Sequence, residues 1–349
     1  MGTSCADDYF SEGESSGRMA TLHVQFPKAG TSADSQVTSA RFIAFEAGGS
    51  GVSGRLLVNS GITPDNARVL IPVGRSNIYI IANAPSSLGL DTITTEKSLK
   101  ATTATWAEAK FLPHIMVGSY HNVSIEQTGV KDAEGNSITV GKDVQRIVAK
   151  LTVSLQYKSQ GGNDIVIDSV TVKNRASYSS LLARAFDGSS YVPTATDRVE
   201  SLTETGTTDN TTTYIPLEFY LSEYLVDDDH KSNSACLFIH AHQGTTVLKY
   251  PVYIGDWFDT GVSYDEFGHA DTPAALVGIT GLSVTRNKHY KLACNLKGEL
   301  TNLKTSVEEW TVVDITGDIN TPYINFERTE VMVNPLSEQG TSVAYTSSM

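Results

Sequence analysis

The sequence is poor in cysteine, in positive charge and in long apolar runs. Three cysteines in 349 residues cannot form a disulfide framework. The 26 basic residues against 39 acidic ones give a net charge of −13, which argues against a nucleic-acid partner because phosphates require a basic surface. No apolar stretch approaches the roughly 20 residues of a membrane-spanning helix. What remains is an acidic, globular composition with 40% hydrophobic residues.

Sequence motifs for catalysis and metal binding are also missing. The chain has no HExxH sequence and no P-loop. From this we predict that the protein is not an enzyme and has no catalytic residues and no cofactor. His240 and His242 lie two apart, which places both rings on one face of a strand, as in a two-ligand metal site. Because no third ligand follows at a readable spacing, we interpret the two histidines as solvent-facing strand residues and predict no metal site. Cys236 and Cys294 are either buried thiols or, if their strands are neighbours, a disulfide.

The N-terminal segment indicates a lipid anchor. Thr3-Ser4-Cys5 is similar to the end of a bacterial lipobox, in which small residues precede a lipidated cysteine, so Cys5 is the candidate lipid-attachment site. The polar, Gly/Ser-rich residues that follow have the composition of a flexible linker, and we interpret 5–18 as a tether. The alternative is that Cys5 is an exposed thiol in a disordered terminus.

Beyond the tether, apolar residues recur at period two, which is typical of strands. Leu22, Val24 and Phe26 alternate with polar residues in a first, half-buried strand. A hairpin is predicted between 69–73 and 78–82, and one helix between Thr94 and Phe111. Many short strands separated by turn residues predict a mainly β fold with two β-sandwich domains in series, the first carrying the short helix.

The order of several short signatures resembles the fimbrillin family of Bacteroidales type V pili. The segments that carry the resemblance are the first strand, 39–45, 71–74, 79–85, 112–119, the Arg-x-x-Ala-basic strand 144–151, the Arg-Asn-x-x-Tyr strand 286–292 and the Trp strand 307–313. The resemblance covers about residues 5 to 318. It implies transthyretin-like, Greek-key sandwiches, with an N-terminal domain at 19–143 and a C-terminal domain at 144–318.

The resemblance implies a structural subunit of a fimbria, exported as a lipoprotein to the outer membrane and serving as tip, anchor or stalk in adhesion. Its expected partners are other pilus subunits, joined by donor-strand exchange: a trypsin-like protease removes the first strand, and an extended strand of another subunit fills the groove. Leu22, Val24 and Phe26 are therefore the candidate exchanged residues. The surface ligand is unspecified.

The loop behind the first strand departs from the family pattern. A cut after an Arg is expected there, but residues 27–36 contain only Lys28 as a basic residue, and Arg18 precedes the strand. The candidate processing sites are thus Arg18 and Lys28. Either the processing enzyme accepts lysine, or the strand stays and the subunit is a cap.

The C-terminal residues 319–349 again alternate apolar and polar positions. They form either a donor-type strand or the start of a further domain. The alternative function from another class is a surface glycan-binding lipoprotein of an outer-membrane uptake system. Only three tryptophans are present, at 106, 257 and 310, and they form no readable platform.

Overall fold

The computed structural model describes residues 18–27, 33–48, 54–64, 67–159, 165–183, 198–226, 234–256, 281–296, 300–309, 324–326 and 345–347. Within them the chain is mainly β, as the sequence predicts. No helix of the described residues is long and apolar enough to cross a membrane.

The first part of the chain builds two sheets that face each other. Its strands are β1 (Met19–His23), β2 (Ala40–Glu46), β3 (Leu56–Ile62), β4 (Arg68–Pro72), β5 (Gly74–Ala82), β6 (Thr103–Thr105), β7 (Met116–Glu126), β8 (Gly129–Lys131), β9 (Ser137–Ile138) and β10 (Gln145–Arg146). β1 and β4 form a two-stranded sheet, and the larger sheet has the order β3-β2-β5-β7-β8-β9 with β10 also paired to β7. Alternate residues of β1, β4, β2, β5 and β7 make the core between them.

The predicted hairpin between 69–73 and 78–82 is wrong. β4 pairs with β1, whereas β5 pairs with β2 and β7. Gly74, with φ of +143°, stands where the chain passes from one sheet to the other, a conformation that favours glycine. The apolar run in β5 is instead explained by burial on both faces, because Ile78 and Ile80 contact one core while Tyr79 and Ile81 contact another.

The predicted helix over 94–111 is present as two short pieces separated by a strand. The helices are α1 (Glu96–Ala101) and α2 (Trp106–Ala109), each with a threonine N-cap, Thr95 and Thr105. Between them β6 is extended because it pairs with a later strand, Tyr178–Ser180. Backbone pairing thus overrides the helical pattern at the threonines. As predicted, the helical segment covers one face of a sheet, with Leu99 fully buried.

The second part of the chain also contains two sheets around a common core. Its strands are β11 (Val148–Lys158), β12 (Ile165–Lys173), β13 (Tyr178–Ser180), β14 (Arg198–Ser201), β15 (Glu204–Thr208), β16 (Thr211–Tyr214), β17 (Leu217–Ser222), β18 (Cys236–Gln243), β19 (Thr246–Tyr253), β20 (Lys288–Leu296) and β21 (Leu300–Glu309). One sheet has the order β15-β16-β11-β20-β21 with β17 also paired to β11, and the other β14-β12-β18-β19. The β11–β20 pair is parallel.

A third hydrophobic core joins the two parts. Ile147, Val148, Leu181 and Leu182 pack with residues of β2, β5 and the helical segment. The predicted domain boundary at 143/144 falls just before β10, and it stays a prediction.

The C-terminal region contributes β22 (Ile324–Phe326) and β23 (Tyr345–Ser347), which pair antiparallel.

Candidate functional site

The first strand presents its apolar residues to the core between the two facing sheets. Ala20, Leu22 and Val24 are each about 5–6% exposed, while Met19 on the outer face is 44% exposed. Phe26 is half-buried and packs against the same core. Burial of a side chain such as Leu22 or Val24 contributes roughly 1.5–3 kcal/mol, so the strand is held mainly by its inward face. The predicted alternation is confirmed, and Ala20 extends it by one position.

In the described residues, the backbone of β1 is paired along one edge only. Its five residues match β4 from Met19 opposite Pro72 to His23 opposite Arg68. Because Pro72 has no N–H, the ladder lacks a donor at that end. Since β1 belongs to a two-stranded sheet, its other edge is unpaired among the described residues, and a replacing strand would have only one backbone ladder to re-form.

Past β1, two hydrogen bonds fix the direction of the chain. The N–H of Val24 donates to the carbonyl of Ala67 at 2.8 Å, and the N–H of Gln25 donates to the carbonyl of Val140 at 2.9 Å. Gly141, with φ of +95°, lies directly under this crossing. A Cβ there would come within 2.6 Å of Val24 Cγ1 and 2.8 Å of the Gln25 carbonyl oxygen. Glycine at this position therefore leaves room for residues 24–25 to pass over it as the chain continues beyond β1.

A buried polar cluster lies where the two parts of the chain meet. Arg146 is 1% exposed, and its Nε donates to the Asp34 carbonyl at 2.9 Å. Its backbone N–H and its Nη1 each donate to Asn287 Oδ1 at 3.3 Å. The Asp34 carboxylate lies 3.6 Å from Lys150 Nζ, and Tyr220 donates to it at 3.4 Å. Asp34, which lies between β1 and β2 in the sequence, is thus bonded to the second part of the chain.

Burial governs the ionisation of this cluster. It lowers the pKa of Arg146 to about 10, partly offset by the Asp34 charge. It lowers the pKa of His114 to about 4; the His114 Nδ1 lies 3.2 Å from the Ala109 carbonyl, and its ring centroid lies 4.5 Å from that of Tyr220. The pKa of Tyr220 is raised to about 12 by burial and then by Asp34. Near neutral pH the cluster therefore holds a neutral imidazole beside charged Arg146.

A second buried pair stabilises the adjoining loop. Arg286 Nη2 lies 2.7 Å from Glu223 Oε2, and both side chains are about 6–7% exposed. Arg286 Nε also donates to Glu223 Oε2, at 2.9 Å, while Nη1 donates to the Leu181 carbonyl and Nη2 to the carbonyls of Ser180 and Leu182. Removing either charge would leave the other buried without its partner.

The structure places some of the sequence-predicted residues and not others. Leu22, Val24 and Phe26 lie together on the inward face of the first strand. Arg18 is exposed, but its carbonyl accepts a hydrogen bond from the N–H of Val73 at 2.9 Å, which holds the Arg18–Met19 peptide in the ladder. Cys5 and Lys28 lie outside the described residues, as do Trp257 and Trp310.

His240 and His242 face the same side of β18 but have protein partners. His240 Nε2 lies 2.8 Å from Thr171 Oγ1, and His242 Nδ1 lies 2.8 Å from Asp168 Oδ1. Across the part of the chain that the structure describes, no group of three His, Cys, Asp or Glu residues could hold a metal. Cys236 and Cys294 are both buried and lie in different sheets, so they form no disulfide with each other, and burial raises the pKa of Cys294.

Asp34 was not singled out by the sequence, because a lone aspartate in a polar loop gives no signal. Arg146 and Asn287 belong to two of the signatures that carry the family resemblance, but nothing in the sequence pairs them. Their contact depends on the parallel pairing of β11 with β20, which begins at Lys150 opposite His289.

Comparison with known proteins identifies related sequences and folds. The model of the family described as fimbrillin-A associated anchor proteins Mfa1 and Mfa2 matches residues 12–316. No curated protein sequence matches the chain.

Two solved structures illustrate the fold similarity. The tip fimbrial protein Mfa3 of Porphyromonas gingivalis, with a C-terminal truncation, has a TM-score of 0.57 at 16% identity, covering 84% of this chain and 100% of that one. A fimbrillin of the same organism has a TM-score of 0.52 at 14% identity, covering 84% and 98%. At these identities the similarity shows a common fold.

Proposed function

Because the chain belongs to the family of fimbrillin-A associated anchor proteins Mfa1 and Mfa2, we propose that it is a structural subunit of a surface fimbria that joins other subunits by donor-strand exchange at the groove of β1. The role is structural rather than catalytic. The observation that carries the proposal is the seating of β1, whose inward face is buried while its backbone is paired to β4 along one edge.

Removal of β1 would expose an apolar groove with a defined register. The groove would present the partners of Ala20, Leu22 and Val24, together with the free edge of β4. An incoming strand of alternating pattern recovers both the backbone hydrogen bonds and the buried area, so exchange restores most of what removal costs.

Processing on the C-terminal side of β1 fits this role better than a cut before it. A cut after Arg18 would leave β1 in place, and the hydrogen bond to the Arg18 carbonyl holds that peptide in the ladder. Lys28 follows the strand in sequence, so a cut there would separate β1 from the rest of the chain. Asp34 would still be bonded to Arg146 and Lys150 after that cut.

Separate digestion with Arg-specific and Lys-specific proteases tests this step. We expect a monomer after the Arg-specific protease and, after the Lys-specific one, loss of the N-terminal fragment with formation of oligomers by size and native mass. A Lys28→Gln variant is the matched control and should stay monomeric in both. Oligomers after Arg-specific cleavage alone, or none after release of the fragment, would overturn the proposal.

We propose further that Cys5 carries lipid and holds the precursor at the outer membrane. The lipobox-like Thr3-Ser4-Cys5 and the polar tether support this. Expressed with a bacterial lipoprotein signal, the protein should incorporate labelled palmitate and enter the detergent phase, whereas Cys5→Ala should do neither. Equal membrane partition of the two would contradict lipidation.

A further inference from the structure

A cavity of about 360 Å³ lies on the face of the larger sheet of the first part that points away from β1. Its floor includes three residues that stand side by side on β3, β2 and β5, namely Gly61, Arg41 and Ile81. Its walls are Ala84–Ser86 and Leu90–Asp91. This volume is within the range of small-molecule sites.

Arg41 is held in a fixed position beside the cavity. Its Nη1 donates to Asn59 Oδ1 at 2.8 Å, and Asn59 Nδ2 in turn donates to the carbonyls of Leu90 at 2.9 Å and Ile93 at 3.0 Å. Among the described residues, the Arg41 guanidinium makes no other hydrogen bond to a side chain and no ion pair. The guanidinium has five N–H donors. Most of them are therefore available to a ligand.

The other polar groups of the cavity lie at its rim. Ser39, Ser86 and Asp91 are exposed and line the opening. Within the described ranges the Asp91 carboxylate makes no ion pair or side-chain hydrogen bond. The site therefore offers a cation for a carboxylate, an anion that accepts from hydroxyl groups, and an apolar wall at Ile81 and Leu90.

Gly61 keeps the cavity open although its backbone does not need glycine. It lies in an ordinary strand conformation, and a Cβ there would meet no atom within 4 Å. A larger side chain would therefore fit the fold and fill the cavity. This gives a means of blocking the site without removing any of its polar groups.

We propose that this cavity binds a hydroxylated carboxylate, the uronic acid unit of a glycan, with its carboxylate on Arg41 and its hydroxyls toward Asp91 and the serines. An arginine already held by Asn59 loses less side-chain entropy on binding an anion, which favours a carboxylate over a neutral sugar. The inference goes beyond subunit assembly and is independent of it, because the cavity and β1 lie on opposite faces of the sheet.

The test compares methyl β-glucuronide with methyl β-glucoside by ligand-observed NMR on the full chain. The two probes differ only at C6, where the glucuronide has a carboxylate and the glucoside a hydroxymethyl group. We expect the glucuronide to bind and the glucoside to bind at least about tenfold more weakly, a difference of about 1.4 kcal/mol. Arg41→Gln and Gly61→Val should each weaken glucuronide binding by a similar factor. Arg75→Gln should leave it unchanged, since Arg75 is also a strand arginine bonded to an asparagine, Asn122, but lies away from the cavity.

No glucuronide binding by the unmodified chain, equal binding of the two probes, or undiminished binding by Arg41→Gln and Gly61→Val would each overturn the proposal. Circular dichroism checks the fold of each variant. If Arg41→Gln does not fold, Gly61→Val and the comparison of the two probes decide.

Discussion

Arg146 and Asn287, 141 positions apart in the sequence, share one side-chain oxygen: Asn287 Oδ1 accepts from both the backbone N–H and the Nη1 of Arg146. Asn287 sits at φ of +57°, a conformation that asparagine tolerates better than most residues. Through Arg146 the bond continues to the Asp34 carbonyl. The loop that follows the first strand is thereby tied to the second part of the chain.

Substitution of Asn287 tests this connection. Asn287→Gly keeps the backbone conformation but removes the acceptor, so we expect a loss of roughly 1–3 kcal/mol in the free energy of unfolding. Asn287→Asp retains an acceptor beside Arg146 and should keep most of the stability. Urea unfolding measures both, and equal stability of the Gly variant and the unmodified chain would show that the bond contributes nothing.

Gly141→Ala should loosen the first strand. The new Cβ would contact Val24 and Gln25, so amide hydrogen exchange in β1 should become at least about tenfold faster while exchange in β12 is unchanged. Gly135→Ala is the matched control, because Gly135 also has a positive φ, +88°, but no atom lies within 4 Å of its Cβ position. Equal acceleration by both variants would mean that backbone strain, and not contact with the strand, is responsible.

His114 should make stability depend on pH. Its pKa of about 4 in the folded protein is below the ordinary value of 6.5. The neutral, buried His114 therefore contributes fully to the free energy of unfolding above pH 6.5, and this contribution is lost as the pH falls toward 4. At pH 4.5 we expect this loss to be roughly 2–3 kcal/mol. His114→Asn, which does not titrate, should show a correspondingly weaker pH dependence in urea unfolding, and parallel curves for the two proteins would refute this.

Trp106 should be an anchor of α2 against the second part of the chain. Its Nε1 donates to the Tyr220 carbonyl at 3.0 Å, and the Lys110 Nζ and Arg175 Cζ atoms each lie 3.9 Å from its ring. We expect Trp106→Ala to lower the free energy of unfolding by roughly 2–4 kcal/mol, and Trp106→Phe, which keeps an aromatic face, by less. Thermal unfolding should give the lowest melting temperature for Trp106→Ala, a higher one for Trp106→Phe and the highest for the unmodified chain. Indistinguishable melting temperatures of the three proteins would contradict this prediction.

The inward face of the first strand could be predicted from sequence because one side of β1 is buried and the other is solvated. In β5 the same reasoning correctly indicated burial on both faces. The partner of β4 could not be predicted, since a neighbour in sequence, β5, competes with a distant strand, β1, and the sequence pattern is the same for both pairings.

The polar part of the site was less accessible to prediction. The contact of Arg146 with Asp34 and Asn287 depends on tertiary packing, and no periodic pattern in the sequence marks these residues. The cavity beside Arg41 is likewise formed by residues between 39 and 91 that share no motif. The helical segment over 94–111 is where the sequence predicts it but is divided into two helices, because Thr103–Thr105 pair with another strand.

Peptide capture tests most directly whether β1 is an exchangeable strand. A labelled peptide of residues 19–27 is mixed with the chain before and after cleavage at Lys28 and release of the N-terminal fragment, and native mass spectrometry counts bound peptides. With the peptide in excess, so that it competes with oligomer formation, we predict up to one peptide per cleaved chain and none on the uncleaved chain. A peptide in which Leu22 and Val24 are replaced by Asp should not be captured. Failure of the cleaved chain to bind the natural peptide, or equal binding of both peptides, would contradict the account.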